Sequence, residues 1–401
     1  MIILVCYGVD MKKSIVLIII VSCIIVPFII FWRTEEKTIE NMTLREKIGQ
    51  MLMVYYTLDE IDDDLIKSLK ENQPGGFIIT TDNLKKYQKA RKFVSSLNKY
   101  VDIDMIIAID QEGGTVQRLM EISDYKATVL PSMYDIGMLN DNSVSYKFGN
   151  ILSSEIASLG INAVFSPVVD IGNYETSAMG KRLISDNTEI VVKNSYSIYK
   201  GIESNSVISI VKHFPGLGDA SVDTHDNKIT IVNKTKDELY ERELKPFINL
   251  INSGIDMIMV SHASYPKITG NNLPASLSKI IVTDLLVNEL KFEGIVIADA
   301  INMGAIASNY SEADTYIKAI NAGINMFIMP NGSKRVVDLI EKEVLNGSID
   351  ESKINESVKR ILRIKNKRKL NEFQILDDYG SIENKRFICE HFSNYCSYNK
   401  K

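Results

Sequence analysis

The sequence predicts a single TIM-type (β/α)8 barrel, an α/β fold, preceded by an N-terminal transmembrane or signal segment. Three observations lead there. Between about residues 40 and 370, eight short apolar runs alternate with longer polar stretches of helical character, the rhythm of parallel strands joined by helical crossovers. Polar residues collect where the chain leaves those runs, which in a parallel barrel is one common face. No GxGxxG, GxxxxGKS or GxxxxGKT follows the first run, so a doubly wound open sheet, the main competing architecture, lacks its usual nucleotide-binding loop.

Residues 1–33 stand apart from the barrel. After Met11-Lys12-Lys13 comes an apolar run, 15–32, long enough to cross a bilayer and interrupted only by Ser22, Cys23 and Pro27. The lysines before it predict a cytoplasmic N-terminus and an exported remainder. The run is longer than an ordinary signal-peptide core and no small-x-small cleavage site follows, which favours an uncleaved single-pass anchor over a secreted form. Ile20-Val21-Ser22-Cys23 also resembles a lipobox, in which Cys23 would be acylated. Anchor and lipoprotein alike put the following domain on the extracellular face of the cell membrane.

The barrel region, 40–370, reads in order. Its apolar runs are 51–56 (MLMVYY), 76–80 (GFIIT), 105–110 (MIIAID), 163–170 (AVFSPVVD), 207–213 (VISIVKH), 257–262 (MIMVSH), 295–299 (IVIAD) and 326–330 (MFIMP). Between them lie helix candidates such as 83–100 and 237–254, and a last helix at 351–370 precedes a short C-terminal tail, 371–401. A chain of 401 residues with 45% hydrophobic composition can bury a large core. Its net charge of -5, without dense Lys/Arg runs, argues against a nucleic-acid partner bound by phosphate neutralisation. Of the four cysteines only Cys389 and Cys396 could pair in an exported domain, free thiols being the alternative, and no spacing matches a zinc site.

The third run ends at Asp110, the fifth at Lys212-His213, the sixth at His262 and the seventh at Asp299. An aspartate at a strand end is often a helix cap and a lone histidine is often structural, but side chains from one end of several barrel strands converge on one pocket. The stretch KHFPGLGDASVDTH, 212–225, adds a glycine- and proline-rich turn and then Asp223-Thr224-His225. A carboxylate two residues from an imidazole can fix its tautomer and favour its protonated form, giving a proton donor near neutral pH; the other reading is that the two merely hold the loop.

Taken in order, DQEGGTVQRL (110–119), FSPVVDI (165–171), GKRLISDN (180–187), VKHFPGLGDASVDTH (211–225), PASLS (274–278), IVIADAINM (295–303) and AGINMFIMP (322–330) resemble glycoside hydrolase family 3, in its β-N-acetylglucosaminidase, NagZ-like branch. The resemblance spans nearly everything after the anchor. It implies a retaining exo-β-N-acetylglucosaminidase that removes terminal N-acetylglucosamine from peptidoglycan or muropeptide carbohydrate through a covalent glycosyl-enzyme intermediate, with no metal or organic cofactor. Asp299 would be the nucleophile and His225 the acid and then base, oriented by Asp223; Asp110, Arg118, Arg182, Lys212 and His213 would grip the terminal sugar. A salt bridge within the barrel rim is the other role open to Arg118 and Arg182. Leu217 stands where the family more often has His, Thr115 where it often has Arg, and Thr224 where Ser is usual.

Three alternatives remain open at this stage: a family 3 β-glucosidase, an N-acetylglucosaminide phosphorylase, and a non-catalytic surface carbohydrate-binding protein. A family 3 β-glucosidase usually takes a Glu acid from a second domain, for which little chain remains here. Ser261 and His262 could line or support the pocket, and His391 falls in the polar tail with no chemical role.

Overall fold

The computed structural model of the protein describes residues 38–220, 229–328 and 332–400. The expected membrane segment, 1–33, lies outside the described residues; among those described, no helix is long and apolar enough to cross a membrane. Residues 42–401 form one compact unit.

Its centre is a closed barrel of eight parallel strands: β1 (Leu52–Val54), β2 (Gly76–Ile79), β3 (Ile106–Ile109), β6 (Ala163–Val164), β7 (Ile208–Phe214), β8 (Met257–Val260), β9 (Ile295–Ala298) and β10 (Met326–Ile328). Neighbours follow chain order and β10 closes on β1, with Leu52 opposite Phe327 and Gly76 opposite Ile106. Every one of these strand residues is buried, because helices cover the outer face and side chains fill the interior. That is why the strands read as unbroken Val/Ile/Met/Phe runs. Each of the eight apolar runs supplies one barrel strand.

The strands are shorter than the runs, and local chemistry says why. Pro167 has no N–H to give a ladder, so β6 stops at Val164 and the run continues only as an isolated bridge between Val168 and Lys212. The helix expected over 237–254 is two helices, Lys236–Glu241 and Leu244–Asn252; Pro246 sits in the first turn of the second, where its missing N–H costs nothing. A two-stranded hairpin, β4 (Gln111–Gly113) with β5 (Val116–Gln117), follows β3 and has no apolar signature. The helix predicted at 351–370 runs Glu351–Arg368.

The tail is ordered. After Arg368 a 3-10 turn, Leu370–Glu372, leads to two helices, Ile382–His391 and Ser393–Asn399, closed on each other by a Cys389–Cys396 disulfide. Ile388 is fully buried and Phe392 nearly so, which makes the pair part of the packed structure. At the N-terminal end of the barrel, Asp256 is buried between Lys367 (2.6 Å) and Arg368, and Arg368 also meets Glu203 at 2.5 Å.

Glu155, on the helix Asn142–Ala157, is a buried carboxyl that accepts from the Thr128 and Gly380 backbone N–H groups at 3.0 and 3.1 Å. Burial outweighs those hydrogen bonds and pushes its pKa from 4.5 up to about 7. The folded state therefore holds a proton that the unfolded state releases between pH 4.5 and about 7, so this contribution to stability is full below that window and lost as pH rises through it. Urea unfolding at both ends of the window should show the Glu155→Gln variant losing less stability with rising pH than the wild type, by on the order of 3 kcal/mol.

Candidate active site

The C-terminal ends of β3, β7 and β9 open on one pocket of about 170 Å³ lined by Asp110, Glu112, Arg118, Phe165, Arg182, Lys212, His213, Leu217 and Asp299. Barrel topology does this: successive parallel strands all end on the same rim, so residues far apart in sequence meet there. Asp110, Arg118, Arg182, Lys212, His213 and Asp299, proposed from sequence, thus share one cavity. Asp223 and His225 lie outside the described residues.

Charge is arranged in an alternating line. Arg182 donates through Nε and Nη2 to the two Glu112 oxygens at 2.8 and 2.9 Å. Lys212 Nζ then sits 2.6 Å from Glu112 and 2.9 Å from Asp110. Glu112 and Lys212 are buried, with 1% and 3% of their side-chain surfaces exposed, so each charge depends on the oppositely charged partners around it. Burial alone would raise the Glu112 pKa, but Lys212 and Arg182 bring it down to about 2. Burial likewise works against the Lys212 and Arg182 cations, and the carboxylates overcome it, holding both above their ordinary values. Arg118 lines the same pocket and makes no salt bridge among the described residues.

Asp299 follows β9 at the cavity wall, with its backbone N–H on Val260 O (3.1 Å) and its carboxylate accepting from Ala300 N–H at 2.8 Å. Burial would raise its pKa; His213, His262, the Ala300 N–H and Lys212 outweigh that, and the group sits below the usual carboxylate range. It is an ionised carboxylate on the wall of the cavity. His262 lies beside it, Nδ1 2.7 Å from Ser276 Oγ and Nε2 3.2 Å from Ala300 O, and burial pulls its pKa down.

Two functional carboxylates escaped the sequence reading. Glu112 was passed over within DQEGGTVQRL because nothing local says that a glutamate before two glycines points inward. Asp170 closes the fourth apolar run, and its position at a strand end was the available signal. It is fully buried and accepts from the His213 backbone N–H (3.2 Å), the His213 ring at Nδ1 (2.7 Å) and Leu217 N–H (2.6 Å). It therefore orients His213 and pins the start of the loop that leads toward residue 225. That loop base has no room for side chains: a Cβ on Gly218 would fall 2.1 Å from Ile171 O, and one on Gly172 2.2 Å from Gly218 O. Asp219 and Lys234, on either side of residues 221–228 in sequence, pair at 2.7 Å. Leu217 is buried and contributes an apolar patch of wall. Among the described residues no cluster of His, Cys, Asp and Glu could hold a metal ion.

Comparison with known proteins matches residues 43–364 to the profile described as the glycosyl hydrolase family 3 N-terminal domain. The sequence is 28% identical over 371 residues to β-hexosaminidase A of Pseudoalteromonas piscicida, covering 81% of this chain and 61% of that protein. It is 29% identical over 272 residues to a β-hexosaminidase of Nitrosomonas eutropha, covering 66% of this chain and 76% of that one. In three dimensions it resembles a family 3 β-N-acetylglucosaminidase from a Paenibacillus species, with TM-score 0.81, 29% identity, and coverage of 87% of this chain and 68% of that structure. Against the first of these relatives the chain thus spans less than two thirds of the partner's length.

The buried ion line makes a direct prediction about stability. Removing the Glu112 charge leaves Lys212 buried with Asp110 as its remaining salt-bridge partner among the described residues. Chemical denaturation of the Glu112→Gln variant should show a loss of about 3 kcal/mol or more, the cost of breaking a buried pair from one side.

Proposed function

The chain belongs to glycoside hydrolase family 3, and from that premise we propose that this glycoside hydrolase is a retaining exo-β-N-acetylglucosaminidase. The observation that carries the reading is the convergence of an ionised carboxylate, Asp299, with the cation-rich cluster of Arg118, Arg182 and Lys212 in one small cavity. A cavity of about 170 Å³ whose apolar wall carries a cluster of charged groups suits one terminal sugar ring rather than the middle of a glycan. The β-hexosaminidase names of the relatives and the β-N-acetylglucosaminidase among the solved structures support N-acetylglucosamine as that sugar.

In the proposed reaction Asp299 attacks the anomeric carbon while His225, oriented by Asp223, protonates the glycosidic oxygen, and the aglycone departs. Water then attacks the same carbon, His225 takes its proton, and Asp299 leaves with overall retention. Asp299 is suited to this because its low pKa keeps it ionised through the whole neutral range. An imidazole supplies the proton without setting a second unpaired anion beside it. Arg118, Asp110 and the free edges of Arg182, Lys212 and His213 would hold the sugar's hydroxyls by charged hydrogen bonds, which discriminate sharply against a sugar lacking the matching group.

The test pairs nitrophenyl β-N-acetylglucosaminide with nitrophenyl β-glucoside. The N-acetylglucosaminide should be cleaved faster, and a 2-fluoro or 5-fluoro sugar should be trapped on a peptide containing Asp299. Faster glucoside release, or full activity in Asp299→Ala, would overturn the assignment.

We further propose that the substrate is peptidoglycan-derived carbohydrate and that the domain acts on the extracellular face of the membrane. The apolar run 15–32 behind Lys12 and Lys13 supports that placement. Protease treatment of intact protoplasts should degrade the barrel domain; full protection would place it inside.

A further inference from the structure

The residues past the family match do more than close the fold. We propose that the C-terminal segment 379–399 is a positioning element of the active site, in which Tyr379 and Asn399 set the place of the β4–β5 hairpin and, through it, of Glu112 and Arg118. This rests on the reading of the pocket as a sugar site.

Two pocket residues sit at the two ends of that hairpin: Glu112 lies in β4, and Arg118 directly follows β5. The C-terminal segment holds the hairpin from both sides. On one side, the Tyr379 hydroxyl donates to the carbonyl of Leu119, the residue after Arg118, at 3.3 Å. Its ring packs against Tyr87 and Tyr125, with centroids at 4.6 and 5.5 Å, which fixes where that hydroxyl can be. On the other side, the Asn399 side chain makes a two-way bond with Val129: it accepts from Val129 N–H at 2.8 Å and donates to Val129 O at 3.0 Å.

The next residue in the chain carries the contact into the hairpin. Leu130 N–H donates to Gln117 Oε1 at 2.8 Å, and Leu130 O accepts from Gly114 N–H at 3.1 Å. The turn itself presses on this segment. Gly113 and Gly114 have φ of 90° and 57°, and a Cβ on Gly113 would fall 2.3 Å from Pro131 O. The backbone of the turn lies against residues 130–131 with no room for a side chain between them, and the Gly114–Leu130 and Leu130–Gln117 hydrogen bonds link the place of residues 128–132 to that of the turn and of Glu112.

Three further contacts stiffen the arrangement. Tyr395 donates to Asp135 at 2.6 Å and accepts from Ser132 N–H at 3.2 Å; Glu155 ties Thr128 to Gly380; and the Cys389–Cys396 disulfide ties the helix Ser393–Asn399, which presents both Tyr395 and Asn399, to the helix Ile382–His391. The consequence in the pocket follows from the ion line. Glu112 meets Arg182 and Lys212 at 2.6 to 2.9 Å, distances that a displacement of about 1 Å would turn from hydrogen bonds into loose ion pairs.

The experiment uses the full chain with Asn399→Ala and Tyr379→Phe, assayed on nitrophenyl β-N-acetylglucosaminide well below the unfolding temperature. Arg368→Ala is the control: it breaks the pairs with Asp256 and Glu203 at the opposite end of the barrel and destabilises without touching this path. Amide exchange at Gly114 and Leu130 is followed in the unliganded protein. Both tail variants should lower kcat/KM by about tenfold and speed exchange at those two amides, while the control leaves both unchanged. The proposal is overturned if the tail variants stay within about twofold of wild type, if exchange is unaffected, or if the control loses as much activity. Should the wild type release no sugar from this substrate, the sugar-site reading fails separately, and the exchange measurement alone decides: faster exchange supports the positioning role and unchanged exchange refutes it.

Discussion

The contact on which the site depends is the burial of Glu112 between Arg182 and Lys212. Each of the three comes from a different part of the barrel rim: the hairpin after β3, the 3-10 turn Gly180–Arg182, and β7. A buried ammonium without a counterion would lose its proton or force the strand apart. With Glu112 at 2.6 Å and Asp110 at 2.9 Å it stays charged, and the three segments are held at one point. The same contact positions the cavity-facing groups, since Glu112 engages one side of Arg182 and Lys212 while both line the pocket.

The barrel was legible because its signal is local. Each strand is an apolar run of a few residues, and the polar residues ending at Asp110, Lys212, His213 and Asp299 mark one rim once parallel topology is assumed. What could not be read were pairings made across long sequence separations. Glu112 and Arg182 are 70 residues apart, and Asp170 and His213 are 43 apart. Neither has a spacing that distinguishes a buried partner from an exposed charge. The tail looked polar and short for a related reason: its apolar residues, Ile388 and Phe392, are too few for a helical stripe, and its hold on the barrel comes through single polar atoms such as the Asn399 amide. The hairpin β4–β5 is set by two glycines with positive φ and not by hydrophobic alternation, so an apolar-pattern reading passes over it.

Charge bookkeeping inside the cavity then bears on the chemistry. Arg182, Glu112, Lys212 and Asp110 form a line whose charges cancel in pairs, so the ion cluster exerts little net field on a bound neutral sugar. Asp299 is different. Its carboxylate has one backbone donor, from Ala300, and otherwise feels His213, His262 and Lys212 electrostatically without a salt bridge of its own among the described residues. A carboxylate fully engaged by an arginine would be ionised but blunt, because attack on carbon would first have to break that pair. Here ionisation is secured by surrounding fields while the oxygen stays available, which is the condition a carboxylate nucleophile has to meet.

That distinction also explains why the cavity can tolerate Asp110 beside Asp299. Two free carboxylates in one small pocket would raise one another's pKa until one was protonated. Lys212 removes the conflict by neutralising Asp110 directly and favouring the charged form of Asp299 from a greater distance. Lys212 thus pairs with Asp110 and Glu112 and adds to the influence of His213, His262 and the Ala300 N–H on Asp299, and its own charge is sustained by Asp110 and Glu112 together. In the proposed reaction the transition state carries positive charge on the sugar ring, and Asp299 is the pocket carboxylate without a salt bridge among the described residues that would face it. In that proposal the paired ion line would hold hydroxyls and Asp299 would meet the anomeric carbon, a division that turns on where Lys212 sits in β7.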